Sequence, residues 1–222
     1  MFDANAYTEE LLEALKAAFG SRLVYLGLQG SYQRGEADEG SDIDMIVVLD
    51  ELTIGDMDTY RRIIDGMERP ELSCGFICGR AELAHWNACE IWQLVHDTAD
   101  RYGRLAELVP PYTEGDVRMQ VRISLGNLYH ELCHRYIHAS GAHNAEGLRG
   151  SYKSVFYILQ NLHYLRTRRC AKSKAALLGE LDGADAAVLD MALRLKRMRE
   201  YDFDAAYSLL FTWCQETLRS EI

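Results

Sequence analysis

Two carboxylates, Asp42 and Asp44, open the β-branched stretch DIDMIVVL. In an extended chain successive side chains alternate, so residues two apart face the same way. Like charges on one face repel unless something positive sits between them, and a hard divalent cation with oxygen ligands relieves that repulsion. Eleven residues before Asp42 stands Ser31, preceded by Gly30 and by a buried-strand pattern, RLVYLGL, at 22–28. Glycine lets backbone approach a ligand closely, and a hydroxyl with nearby N–H groups can hold phosphate oxygens, especially where a helix begins. The chemistry implied is phosphate handling at a metal. With two ions ~3.5–4 Å apart, one would activate an attacking oxygen and the other steady a leaving group. An Asp-x-Asp alone is equally the mark of a solvated turn, and Gly-Ser is commoner still. The weight lies in the whole constellation: strand, Gly-Ser, an eleven-residue step, Ser41-Asp42-Ile43-Asp44, then a β-branched strand.

Elements on either side must position these groups. Leu11, Leu12, Leu15 and Phe19 recur at helical spacing over 6–19, ending at the C-cap candidate Gly20. Strands are expected at 22–28, 42–49 and 71–78, and helices at 56–67 and 80–98. That alternation is an α/β layout around a small sheet. Pro110-Pro111 is the strongest break in the chain. Beyond it, 116–139, 149–168, 184–199 and 203–219 all carry helical spacing, with Gly141, Gly147, Gly150 and the Leu181-Asp182-Gly183 region read as turns. The fold class expected is an α/β domain with a small mixed sheet over 1–112, followed by an all-α helical bundle over 113–222.

Charge separates the halves. The 222 residues carry a formal net charge of −10, with 34 acidic and 24 basic side chains. Residues 1–112 hold 21 acids and 9 bases, a net −12, whereas 113–222 hold 13 and 15, a net +2. The total argues against coating a nucleic acid, which needs Lys and Arg for phosphate neutralisation. It leaves room for an enzyme that handles nucleotides with one metal and a small basic patch. No apolar run approaches the ~18–20 residues that cross a bilayer. The opening MFDANAYTEE lacks the features of a secretion signal, so the cytoplasm is the expected location and the six cysteines are expected as free thiols. Cys74 and Cys78, four apart in a strand-like segment, read as core packing.

The segment Gly30–Asp44 resembles the nucleotidyltransferase superfamily with a polymerase-β-like catalytic domain. Gly30, Ser31, Ser41, Asp42 and Asp44 match its pattern, and Arg34 and Gly35 match the version found in minimal nucleotidyltransferases. Gln33 departs from the small residue usual there, and the spacer lacks its frequent proline. The order of domains is similar to that of the antibiotic adenylyltransferases, especially those acting on aminoglycosides. The resemblance implies Mg²⁺ or Mn²⁺ on Asp42 and Asp44, nucleotide contacts from Gly30, Ser31, Arg34 and Ser41, and a nucleoside triphosphate, ATP first, as co-substrate. A third carboxylate usually stands on the next strand, and no Asp occurs between 66 and 96. Glu71 takes that place as general base or third metal ligand, with Glu68 as fallback. An exposed strand end after Pro70 is the competing reading of Glu71. Lys153 is the implied cation for the triphosphate tail, with Arg149 four residues earlier on the same helical face. Ordinary surface charge is the alternative for both, and for the Arg166–Lys174 cluster, where the helix dipole favours cations at a helix end.

The function expected is metal-dependent transfer of a nucleoside monophosphate to a hydroxyl of a small-molecule acceptor, releasing pyrophosphate. An antitoxin-like enzyme modifying a protein partner and a non-catalytic nucleotide-binding protein are the alternatives. Residues 130–134, His-Glu-Leu-Cys-His, also match the H-E-x-x-H zinc pattern. Adding His138 does not help, because i, i+4 and i+8 span ~12 Å of helix, too far for one ion. A polar, His-rich helix face is the preferred reading.

Overall fold

The structure, a computed structural model, describes residues 2–139 and 141–220, the side chains of 142 and 143 excepted. The chain divides into two compact units, Met1–Tyr112 and Thr113–Ile222.

In the first unit, α1 (Ala4–Phe19) starts at Asp3, whose side chain accepts from the N–H groups of Asn5 and Ala6. This satisfies two of the donors that a helix start leaves open. Then come β1 (Leu23–Gln29), the single turn α2 (Gly30–Gln33), β2 (Ile43–Leu49), α3 (Ile54–Asp65), β3 (Ser73–Gly79), α4 (Arg80–Ala84), α5 (Ala88–His96) and β4 (Thr98–Tyr102). The sheet order is β3-β2-β1-β4. β1 runs antiparallel to β2 and β4, and β3 runs parallel to β2. The sheet is therefore mixed. Ile43, Met45, Val47 and Leu49 are fully buried with Leu11 and Leu15 of α1. Each such side chain contributes ~1.5–3 kcal/mol relative to exposure. Ile46 and Val48 point the other way, into a second cluster with Tyr25, Leu83 and Leu105. Arg22 ties the start of β1 to α3 through Asp56, itself half of a capping box with Thr53.

Two expectations need correction here. The single helix over 80–98 is interrupted: Asn87 caps a new helix by accepting from Cys89 N–H, and the chain turns into β4 at Thr98. TADRY is short and mostly polar, and its tip is exposed, so it carries no strand-like alternation. Cys78 is buried but Cys74 is exposed, so only one of the pair is core. All six cysteines are free thiols.

The second unit consists, among the described residues, of α6 (Glu114–His138), α7 (Gly141–Thr167), α8 (Lys174–Leu178), α9 (Gly183–Arg197) and α10 (Phe203–Arg219). Its core joins Leu125, Leu132, Phe156, Leu159, Leu189 and Trp213. α7 begins eight residues earlier than its spacing suggests, and Gly147 and Gly150 lie inside it rather than in turns. A Cβ at Gly147 would stand 1.9 Å from Arg135 Nη1, so glycine there makes room for a guanidinium from α6. No helix among the described residues is long and apolar enough to cross a membrane.

Candidate active site

Strand alternation decides where the carboxylates point. Asp44 shares the parity of Ile46 and Val48, so it stands at the polar end of the face opposite α1. Asp42 precedes the strand by one residue and is exposed, while Asp44 is half-buried. Burial is the main cause that raises the Asp44 carboxyl above its ordinary range. A hydrogen bond from Cys74 opposes it, the charge of Asp42 adds to it, and the charge of Arg34 opposes it. The two carboxylates thus feel each other, as the i, i+2 spacing requires.

Gly30 begins α2 directly after β1, with φ +70°. A Cβ there would lie 2.0 Å from Asp44 Oδ2. The Gly-Ser turn and the carboxylate are therefore in contact, and two independent constraints demand glycine. The turn closes with Arg34 N–H on Gly30 O (3.2 Å) and Glu36 N–H on Ser31 O (2.8 Å). Gly30→Ala is expected to displace Asp44 and to cut turnover by about a hundredfold, since an error of ~1 Å in a reacting group has that effect. Pyrophosphate release by a variant with an unchanged circular-dichroism spectrum measures it, and retained turnover would show that the contact is idle.

The other residues singled out by sequence fall in different places. The Ser41 hydroxyl donates to Asp38 Oδ1 (3.0 Å) and accepts from Asp38 N–H (2.8 Å), bracing the loop that leads into Asp42. The Arg34 side chain is only 4% exposed and pairs with Asp97 and Glu36, so it is not presented to solvent. Glu71 lies in a 3₁₀ turn before β3, not on the strand. It is exposed and ion-paired with Arg69, and that hydrogen bond holds its carboxyl below the usual range. Because β3 begins at Ser73, the residue in register with Asp44 is Cys74. Lys153 is exposed on α7, in the second unit. Arg149, one turn earlier, is committed: it donates to the carbonyls of Leu195, in the last turn of α9, and of Arg199, just beyond that helix, and stacks on Tyr201 at 4.7 Å. His130, His134 and His138 line an exposed face of α6, and Glu131 is bound by Arg135 (2.8 Å) and Ser151 (2.9 Å).

Sequence reasoning missed Cys74 and Asp97. The signal for Cys74 was present as strand parity, but the strand was started two residues early. Asp97 carried no signal, because the TADRY segment that follows it has no strand-like alternation.

Residues 8–73 match the family model described as a nucleotidyltransferase domain. This stretch is a nucleotidyltransferase domain, and the chain is a transferase. The domain takes in all but the first turn of α1, the Gly-Ser turn, both aspartates and Glu71, and ends where β3 begins. Over its whole length the chain has the fold of spectinomycin adenyltransferase AAD(9) from Enterococcus faecialis, solved with ATP and spectinomycin. The TM-score is 0.64 at 14% identity, covering 98% of this chain and 100% of that one. At that identity the likeness is one of fold. No curated protein matches the sequence significantly.

Proposed function

We propose that this nucleotidyltransferase moves AMP from ATP to a hydroxyl of a small-molecule acceptor of the aminoglycoside-like class, releasing pyrophosphate. The observation that carries the reading is the contact between the Gly30-Ser31 turn and the Asp44 carboxylate, with Asp42 beside it. A phosphate-binding turn against a pair of acids is what a nucleoside triphosphate with its counter-ion would require. The likeness of fold to an adenylyltransferase solved with ATP and spectinomycin supports this choice of co-substrate and acceptor. The net −12 of residues 1–112 suits a cationic acceptor.

The residues fit a divalent metal. Asp42 and Asp44 offer hard oxygens and carry a mutual repulsion that a cation relieves. Among the described residues no group of three or more His, Cys, Asp or Glu is placed to hold a metal ion. Mg²⁺, or Mn²⁺, would therefore be held by Asp42 and Asp44 together with substrate phosphates, the usual manner for Mg²⁺. Bound there, the ion would supply charge neutralisation at the phosphates. The chain's own work is positioning. Gly30 and Ser31 cradle phosphate oxygens, Ser41 and the backbone N–H of Arg34 fix the loop and turn that carry them, and Lys153 is the proposed cation for the triphosphate tail. The acceptor oxygen attacks the α-phosphorus in line. A new P–O bond forms as the bond to the β-phosphate oxygen breaks, and pyrophosphate leaves. Glu71 is the proposed acceptor of the hydroxyl proton, its charge maintained at neutral pH by Arg69.

A pyrophosphate-release screen tests this, using each nucleoside triphosphate with Mg²⁺ and a panel of aminoglycosides and lincosamides. Acceptor-dependent release with ATP is the expected result, and no release with any pair would sink the reading. One observation favours a protein acceptor as the second reading: Met119, Ile123, Tyr136 and Ile137 of α6 are exposed apolar side chains. Transfer of labelled AMP to a protein, with none to small molecules, would select it.

A further inference from the structure

A buried ionic cluster lies beside the site and has no part in the chemistry above. Arg34 Nη1 donates to both carboxylate oxygens of Asp97, at 2.9 and 2.8 Å, and its Nε donates to Glu36 at 3.0 Å. The side chains of Arg34 and Asp97 are 4% and 10% exposed. Asp97 ends α5, its N–H bonded to Gln93 O at 2.9 Å. The next residue, Thr98, pairs with Gln29 on β1 and accepts from its side chain at 2.8 Å. Asp97 is thus fixed against the residue that precedes Gly30, and Arg34 closes the turn that Gly30 opens.

We infer that Asp97 is a positioning residue for the carboxylate pair: it holds the Arg34 guanidinium away from Asp44 and so keeps Asp44 open to a cation. The inference rests on the reading that Asp42 and Asp44 hold the metal. A buried guanidinium needs an anionic partner, because an unpaired charge out of water is strongly disfavoured. Arg34 already acts on Asp44 through its charge, and the charges of Asp44 and Asp97 oppose each other, so all three share one electrostatic neighbourhood. With Asp97 present, its two oxygens hold Nη1 of Arg34 and Glu36 holds Nε. Without it, Glu36 stays paired to Arg34, and Asp44 is the neighbouring anion whose carboxyl already feels that charge. An Arg34–Asp44 pair would occupy ligand oxygens and place a positive charge where a cation is to sit.

Binding of Mn²⁺ alone to the full chain, followed by the electron paramagnetic resonance of the free ion, tests this without relying on turnover. The wild type should bind, and Asp42→Asn/Asp44→Asn should not. A wild type that binds no Mn²⁺ overturns the metal-site reading and the inference with it. Given wild-type binding, Asp97→Asn should weaken it by about tenfold, the effect of one uncompensated charge at this range. Arg34→Gln/Asp97→Asn should return to within about threefold of wild type, because the competing guanidinium is gone. A merely structural role makes the double variant no better than the single. Wild-type affinity in Asp97→Asn, or no recovery in the double, overturns the inference alone. If Asp97→Asn does not fold, the double variant decides. Affinity within the same threefold limit supports the inference, while a larger loss, or a double that also fails to fold, overturns it.

Discussion

Replacing Asp42 and Asp44 together by asparagine is expected to lower nucleotidyl transfer by about three orders of magnitude, ~4 kcal/mol of transition-state stabilisation. The chain should stay folded and, in chelator at neutral pH, should melt higher than the original. The two effects share one cause. The carboxylates are placed together to meet a cation, so without one the folded state bears the partial burial of Asp44 and the repulsion between the two. The Asp44 carboxyl is raised above its ordinary 3.8 chiefly by burial. A carboxyl raised in the folded state binds its proton more tightly there than in the unfolded chain. Its destabilising contribution is absent below the unfolded value, grows as pH rises through the interval up to the folded value, and is complete above it. The melting difference between variant and wild type should therefore shrink as pH falls from about 7 to 4. Thermal scans in chelator and pyrophosphate release in Mg²⁺ provide the two measurements. A variant that releases pyrophosphate at the wild-type rate would end the case for this site.

Gly75→Ala is expected to be the most damaging single methyl group in the first unit. Gly75 sits on β3 in register with Met45, at φ +107°. An added Cβ would stand 1.9 Å from Met45 O and 2.5 Å from Met45 N. Both are backbone atoms of a buried residue on a paired strand, so neither can swing aside as a side chain could. β3 is an edge strand whose ladder runs to β2 alone. Relief must come from opening that ladder, which also carries Cys74 away from Asp44. A loss of ~3 kcal/mol or more is expected, among the large values that backbone clashes produce. That corresponds to a fall of about 10–20 °C in the melting point of this unit. Gly126→Ala in α6 is the matched control, since a Cβ there meets nothing within 4 Å. It should be neutral or stabilising by up to ~1 kcal/mol, as alanine is favoured in helices. If the two variants melt alike, β3 is not paired to β2 in this register.

Much of the first unit was legible because its elements carry strong local patterns. Leu11, Leu15 and Phe19 mark one helix face, and Ile43 to Leu49 mark a strand buried on both sides. The failures lie where the pattern was weak. TADRY has no apolar alternation, and only its first residue, Thr98, falls within the helix expected over 80–98. Gly147 and Gly150 resembled turn markers, although a glycine inside a helix can serve to admit a neighbour such as Arg135. Glu71 was placed by its type and by the expectation of an acid on the third strand. The strand in fact starts two residues later, and Glu71 pairs with Arg69 in the turn before it.

By itself the sequence determined that Asp42 and Asp44 share one face, that a Gly-Ser turn precedes them, and that an acidic α/β half is followed by a helical, slightly basic one. These are consequences of periodicity and composition, which are written along a single stretch of chain. Only the tertiary structure decided that Gly30 touches Asp44, that Cys74 rather than Glu71 stands in register with it, and that Arg34 is buried against Asp97, 63 residues away. Those pairings follow from which surfaces are buried together and in what register the strands meet. Register depends on the whole sheet closing over its core, a property that no local segment carries.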